Sequence, residues 1–334
     1  MKVLHIGKAE NMKRYKPDTD FADTVETAEM TMGHMPEEYA AAMPDAEVIV
    51  ADAIADIPGT LIEQLPDLKM IHSEGVAYNK IDLNAASAHQ VSVCNCAGMN
   101  ASAVAEQTIL LMQGMLKNVI VNDQAVREGR QIMVKEQYMA GGSLKELADC
   151  KVGLIGLGDI GKATAQLLAA YGAEVYYCKR HRLEAEEEVK FHAMYLPLDD
   201  LLALCDIISL HLPVTKETEN MCDSVFFEKM KPGSYFVNTS RGELVNDKAL
   251  AEALKSGKLV MAGLDTLDLE PVQTDHPLLQ QPEEVTGKII FSPHIGGITA
   301  SSFRRGYSMI WENLERLSAG KPLLRVVNRL DSLF

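Results

Sequence analysis

Residues 151–180, KVGLIGLGDIGKATAQLLAAYGAEVYYCKR, constrain the fold more than any other stretch. Val152, Leu154 and Ile155 form a short apolar run that ends at Gly156. Gly156, Gly158 and Gly161 then complete the pattern G-x-G-x-x-G. The first glycine permits a tight turn, the second lets the backbone approach a pyrophosphate, and the third lets a helix pack closely on the strand. Ile160, Ala163, Leu167 and Tyr171 recur every three or four residues, the spacing of one buried helix face. Gly172 stops that helix, and Glu174 to Cys178 reads as a second strand. The helix start, around Asp159 and Ile160, offers free N–H groups and the positive end of its dipole to phosphates. Alone the glycine pattern is weak evidence; its strand–turn–helix–strand setting points to a dinucleotide site.

The end of the second strand departs from the usual form of such a site. An acidic residue about 20 positions beyond the glycines commonly receives the ribose hydroxyls. Here the sequence is Cys178-Lys179-Arg180-His181-Arg182. An acid would repel a 2′-phosphate, whereas Lys179 and Arg180 would attract it. NADP(H) is therefore favoured over NAD(H), the alternative being a solvated basic turn.

With 334 residues, 47% of them hydrophobic, the chain has room for two domains with real cores. Its 32 basic and 47 acidic residues give a formal charge of −15, which argues against a nucleic-acid partner. No apolar run approaches the ~18 residues of a membrane span, and MKVLHIGKAE reads as a first strand rather than a leader. Cys94, Cys96, Cys150, Cys178, Cys205 and Cys222 show neither a disulfide framework nor metal-ligand spacing. Free thiols, no metal and a cytoplasmic location are expected.

Along the first hundred residues, runs at 3–6, 46–51, 68–72 and 91–95 read as strands, with short helices at 61–65 and 81–87. Strands alternating with helices imply a parallel sheet. Residues 10–36 are polar and carry no assignable pattern. A long helix is expected over 101–118, its apolar stripe Ala105, Ile109, Met112, Leu116 and Ile120. Residues 121–150 read as a polar excursion, and 183–190, LEAEEEVK, as a solvated acidic face. Further strands are expected at 206–212, 234–238, 259–264 and 289–291, with helices at 225–230 and 247–256. A last amphipathic helix carries Phe303, Tyr307, Ile310, Leu314 and Leu317. Arg241, Asp265 and His294 each fall just beyond a strand's carboxyl end, where open α/β sheets bind ligands.

Taken one at a time, these residues have plainer readings. Arg241 could be a surface salt-bridge residue, Glu270 before Pro271 a solvated turn, and His294 a loop histidine. The other histidines read as structural or exposed, although His211 could line the cofactor groove.

Ordered segments give a stronger signal. They are GVAYNKIDLNAAS (75–87), NASAVAEQ (100–107), GLGDIG (156–161), HLPVTKET (211–218), NTSRGELVNDKAL (238–250), DTLDLEP (265–271) and SPHIGGIT (292–299). On these the chain resembles the D-isomer-specific 2-hydroxyacid dehydrogenases, which include glyoxylate/hydroxypyruvate reductases and phosphoglycerate dehydrogenases, over about residues 46–305. The resemblance implies an α/β protein of two doubly wound parallel-sheet domains. A Rossmann dinucleotide-binding domain (103–297) would be inserted into a smaller flavodoxin-like substrate domain (1–102 and 298–334).

It also implies residue roles. Arg241 would clamp the carboxylate of a small 2-oxo acid with its planar fork. His294 would pass a proton to the carbonyl oxygen as hydride arrives, with Glu270 on its second ring nitrogen stabilising the imidazolium. The product would be the D-(R)-2-hydroxy acid. Substrate contacts are expected from Val76, Ala77 and Asn100. Cofactor contacts beyond the glycine turn and the basic pair are expected from Leu212, Pro213, Thr218, Thr239, Ser240, Asp265, Gly296 and Gly297, with Asp265 receiving the nicotinamide carboxamide. A homodimer through the cofactor domain is implied. Glu74, beside the 75–77 loop, would disfavour a second acidic group on the substrate if it faced the pocket, and otherwise points elsewhere. A cofactor-sensing corepressor of the same fold is the alternative function.

Overall fold

Short apolar runs become parallel strands buried on both faces, which is why they read as continuous rather than alternating. A computed structural model of the protein describes residues 1–328. The chain divides into two compact units, Met1–Asn100 with the chain from Thr299 onward, and Ala101–Ile298.

In the first unit the strands are β1 (Lys2–Ile6), β2 (Glu26–Met30), β3 (Val48–Ala51), β4 (Met70–Ser73) and β5 (Ser92–Cys94). They form a parallel sheet in the order β2-β1-β3-β4-β5, the flavodoxin-like order. One face packs under the helices around Tyr39, Leu61 and Ile62. The other receives the helix Ala300–Ser318, whose Tyr307, Ile310, Trp311 and Leu314 meet Val3, Val48, Val50 and Met70. Thr299 caps that helix by accepting from the Ser302 N–H at 3.1 Å.

In the second unit the strands are β6 (Lys151–Ile155), β7 (Glu174–Cys178), β8 (Ala193–Tyr195), β9 (Ile207–Leu210), β10 (Ser234–Asn238), β11 (Leu259–Leu264) and β12 (Ile289–Phe291). Their order is β12-β11-β10-β9-β6-β7-β8, all parallel. The winding reverses between β6 and β9, the switch point at which such sheets take ligands. Helix Ala101–Leu116 lies tight on the sheet, because a Cβ at Gly263 would come within 2.9 Å of Leu111 Cβ.

Several expectations need correction. Residues 10–36 contain β2, unreadable because this edge strand, ETAEM, has no fully buried residue and carries only Ala28 and Met30 as apolar contacts to the core. The long helix stops at Leu116, not 118; Asn118 turns left-handed at φ 50° and a new helix, Val119–Arg127, begins. Ile120 therefore leaves the buried stripe and is exposed. The excursion at 121–150 is largely helical, continuing through Gln131–Gly141 and a 3-10 turn at Leu147–Asp149. Helix Gln131–Gly141 buries none of its residues, so no apolar periodicity marks it. The acidic run is solvated as expected and forms the helix Ala185–Phe191, with Glu187 and Glu188 paired to Lys162 and Arg182. Five of the six cysteines are buried, Cys178 is half-buried, and all six are free.

Candidate active site

The glycine turn joins β6 to the helix Asp159–Ala170. Gly156 sits at φ +98°, and a Cβ there would collide with the His211 carbonyl oxygen, so the loops after β6 and β9 touch backbone to backbone. A Cβ on Gly161 would lie 2.6 Å from the Gly156 oxygen, fixing how closely the helix approaches the turn. Gly158 faces open space, with nothing within 4 Å of an added Cβ. It starts the helix without a side-chain cap, and among the described residues the N–H groups of Asp159, Ile160 and Gly161 donate to no protein acceptor. Open space above uncapped N–H groups fits a dinucleotide pyrophosphate.

Lys179 and Arg180 follow β7 directly, and among the described residues neither forms an ion pair. Their neighbours differ. Arg182 forks onto Glu188 at 2.8 and 2.9 Å, and Lys162 binds Glu187 at 2.7 Å. The Arg182 fork, with the Tyr177 hydroxyl, holds the Glu188 carboxyl down at about 2.

Beyond β9, His211 turns its ring inward, its Nε2 2.9 Å from Ser209 Oγ. Burial pushes its pKa down to about 4, so it is neutral near pH 7 and meets the groove through its backbone. The next residues, Leu212 and Pro213, begin a turn tied by Thr218, whose hydroxyl donates to the Pro213 oxygen at 2.8 Å. Thr239 and Ser240 follow β10, with their hydroxyls directed to Thr108 Oγ1 (2.9 Å) and the Leu210 oxygen (2.7 Å). Each hydroxyl thus has its hydrogen engaged inside the protein and could meet a cofactor only as an acceptor, the backbone being the other route.

Arg241 is exposed at the end of that turn. Asn238, fully buried, shapes the turn by donating from Nδ2 to the Arg241 oxygen (2.7 Å) and accepting from the Ser240 N–H (2.9 Å). Arg241 Nη1 donates to the Ser240 oxygen at 2.7 Å, leaving the rest of the fork free of protein partners among the described residues. A Cβ on Gly242 would overlap the Leu267–Asp268 peptide, so the segments carrying Arg241 and Glu270 are in backbone contact.

His294 lies past β12 in the left-handed region, φ +54°. Its N–H donates to the Asp265 oxygen at 2.8 Å. Ring Nδ1 stands 2.9 and 2.8 Å from the two oxygens of Glu270, so Nδ1 carries a proton and donates to the carboxylate. Nε2 has no protein partner among the described residues, and both side chains remain 41% exposed. A histidine oriented by a carboxylate, with its other nitrogen open, is equipped for proton transfer.

Asp265 is buried, and its carboxylate accepts from Ser292 Oγ, the Ile295 N–H (3.1 Å) and the Gly296 N–H (2.9 Å). Three of a carboxylate's roughly four acceptor positions are thus used in holding the His294 loop. Gln107 adds a further link, donating to Ser292 Oγ at 2.9 Å. Asn238, Ser292 and Gln107 were not singled out from sequence; each lies inside a motif segment, but only the fold shows that it supports Arg241 or His294. Gly297 lies in the same loop, after Gly296.

In the first unit, the loop after β4 carries the expected substrate contacts Val76 and Ala77. The carbonyl of Gly75 accepts from the Cys96 N–H (2.8 Å), that of Val76 from Asn95 Nδ2 (2.8 Å), and that of Ala77 from Ser73 Oγ (2.7 Å). In a planar trans peptide the N–H points opposite to the C=O. The N–H groups of Val76 and Ala77 are therefore aimed away from these donors, and among the described residues they bond to no protein group. Paired backbone N–H groups suit a carboxylate. Asn100 is the last residue of this stretch of the unit.

The parallel order of the second sheet, the glycine turn at its switch point and the His–Glu pair at its edge define a nucleotide-binding oxidoreductase architecture. Residues 109–296 match the model of the D-isomer specific 2-hydroxyacid dehydrogenase NAD-binding domain, and the chain belongs to that family. It is 30% identical to a glyoxylate reductase of Thermofilum pendens over 293 residues, covering 88% of this chain and 84% of that one. It is 32% identical over 292 residues to a D-3-phosphoglycerate dehydrogenase of Mycobacterium bovis, covering 87% of this chain but only 53% of the relative, so it spans about half that protein's length. Among solved structures, apo D-mandelate dehydrogenase of Rhodotorula graminis superposes with a TM-score of 0.84 at 27% identity, over 98% of this chain and 97% of that one.

The open space above Gly158 yields a direct test. Gly158→Val keeps an allowed backbone and fills that space. Binding of NADPH and NADH, read by fluorescence titration, is expected to weaken by on the order of tenfold or more with the thermal midpoint unchanged. Unchanged affinity would place the pyrophosphate elsewhere.

Proposed function

We propose that this protein is an NADP(H)-preferring 2-oxo acid reductase that forms a D-(R)-2-hydroxy acid. The observation that carries the reading is the His294–Glu270 pair, with Nδ1 held by the carboxylate and Nε2 open. A reduced nicotinamide, when bound, supplies the hydride. The turn at Gly156, Gly158 and Gly161 would hold the pyrophosphate, and Asp265, Gly296 and Gly297 would flank the nicotinamide end. Arg241 would bind the substrate carboxylate with its planar fork. In the other unit the N–H groups of Val76 and Ala77, free among the described residues, are proposed as a carboxylate site, and Asn100 as a further substrate contact. Protonated His294 would pass its Nε2 proton to the carbonyl oxygen, and Glu270 would stabilise the imidazolium and keep the ring oriented.

His294→Gln is expected to lose about 10²–10⁴-fold in turnover of glyoxylate, hydroxypyruvate, pyruvate or phenylpyruvate, with NADPH affinity retained. Turnover that survives the substitution would remove His294 from proton transfer.

Lys179 and Arg180 support the phosphate preference, since among the described residues neither is held in an ion pair, although Glu187 lies near Lys179 and Glu217 near Arg180. The double variant Lys179→Ala/Arg180→Ala is expected to lose affinity for NADPH while leaving that for NADH nearly unchanged. Equal losses for both cofactors, or none, would show the pair to be a solvated turn.

A homodimer through the cofactor domain is supported by helices Val119–Arg127 and Gln131–Gly141. They leave Ile120, Val126, Ile132 and Met139 exposed, Met139 at 76%. Sedimentation should give a dimeric mass for the wild type and a monomeric mass for Ile132→Glu/Met139→Glu; a monomeric wild type would exclude the arrangement. Cytoplasmic residence is supported by the six free cysteines.

A further inference from the structure

The first unit contains a buried polar cluster that the reaction above does not use. Glu74 is 6% exposed, and its carboxylate receives the Tyr307 hydroxyl and faces His5 Nε2 at 2.6 Å. His5 and Tyr307 are themselves buried. His5 Nδ1 has no partner among the described residues, so the ring proton sits on Nε2 and donates to Glu74. Burial and the adjacent carboxylate push the Tyr307 phenol well above its ordinary range. Glu74 thus points into the unit, not towards a substrate.

A carboxylate in such a place costs several kcal/mol unless donors surround it, and an apolar residue would fill the space without that penalty. The cluster's position suggests why it is kept. Glu74 immediately precedes Gly75–Ala77, the loop whose Val76 and Ala77 N–H groups are directed outward. Its own N–H donates to the Ala51 oxygen at 2.7 Å, so backbone and side chain are both fixed. Each partner comes from a different element: His5 from β1, Tyr307 from the helix Ala300–Ser318. Gly75 is confined as well, since a Cβ there would lie 2.7 Å from Ala53 Cβ.

We propose that Glu74, clamped between His5 and Tyr307, is a positioning residue that fixes the Gly75–Ala77 loop so that its two N–H groups bind the substrate carboxylate. This rests on the reading of that loop as the carboxylate site. The side chain acts through the backbone it anchors and never meets the substrate.

The test compares Glu74→Gln and Tyr307→Phe with the wild type, all as full-length protein. The probe is oxamate, an unreactive isostere of a small 2-oxo acid, added to protein saturated with NADPH, with 2-oxo acid turnover measured in parallel. The expected result is oxamate affinity weakened and KM raised by on the order of tenfold, while kcat and NADPH affinity stay within about twofold. Amide exchange at Val76 and Ala77 should quicken in both variants. If Glu74→Gln fails to fold, Tyr307→Phe, which removes one hydroxyl, decides. Lower thermal midpoints with unchanged oxamate affinity and KM would overturn the proposal and leave the cluster a packing element. A wild type that neither reduces any 2-oxo acid nor binds oxamate would overturn the carboxylate-site reading and the proposal with it. Wild-type binding with unaffected variants would overturn the anchoring role alone.

Discussion

Parallel pairing is the constraint on which the molecule depends. When every strand of a sheet runs the same way, every carboxyl end reaches the same edge, and the residues just past those ends are gathered whatever their distance in sequence. Gly156, Arg241, Asp265 and His294 follow β6, β10, β11 and β12, and so share one edge of the second sheet. The first sheet does the same for Glu74 and its loop. The helices on both faces bury the sheets, and so leave this edge as the place for chemistry.

Buried hydrogen bonds then sharpen what the sheet brings together. Asp265 collects Ser292, Ile295 and Gly296 and takes the His294 N–H on its carbonyl, holding His294 in a left-handed conformation that a non-glycine residue adopts at some cost. Asn238 does comparable work for the Arg241 turn. In each case a fully or almost fully buried polar side chain, with its bonds made inside the protein, fixes the backbone of an exposed candidate site residue. The exposed residue keeps an open valence: Nε2 of His294, most of the Arg241 fork. The same division appears in the first unit, where inward carbonyls leave the Val76 and Ala77 N–H groups pointing out.

Much of this was legible in the sequence where local physics dominates. The glycine turn, the strands of the second sheet that carry the site residues and the final helix follow from apolar runs, glycine punctuation and helical spacing. Readability failed where a segment lacks a buried face. Strand β2 is an edge, and helix Gln131–Gly141 buries nothing, so neither imprints an apolar period. The end of the long helix was misplaced because Ile120 continues the numerical stripe of Ala105, Ile109, Met112 and Leu116, although the backbone has already turned at Asn118.

By itself the sequence determined the chemical types and their order: a glycine turn for a dinucleotide, two cations where an acid is common, and an arginine, a glutamate and a histidine in motif segments. Tertiary structure decided pairing and direction. The fold puts Glu270 on Nδ1 of His294, the pairing the family resemblance implied, and it alone commits Asp265 to the His294 loop, turns the hydroxyls of Thr239 and Ser240 inward, and sends Glu74 to His5 and Tyr307, 69 and 233 positions away along the chain. The physical reason is that hydrogen-bond partners are chosen by distance in space and by burial, and local sequence patterns encode neither.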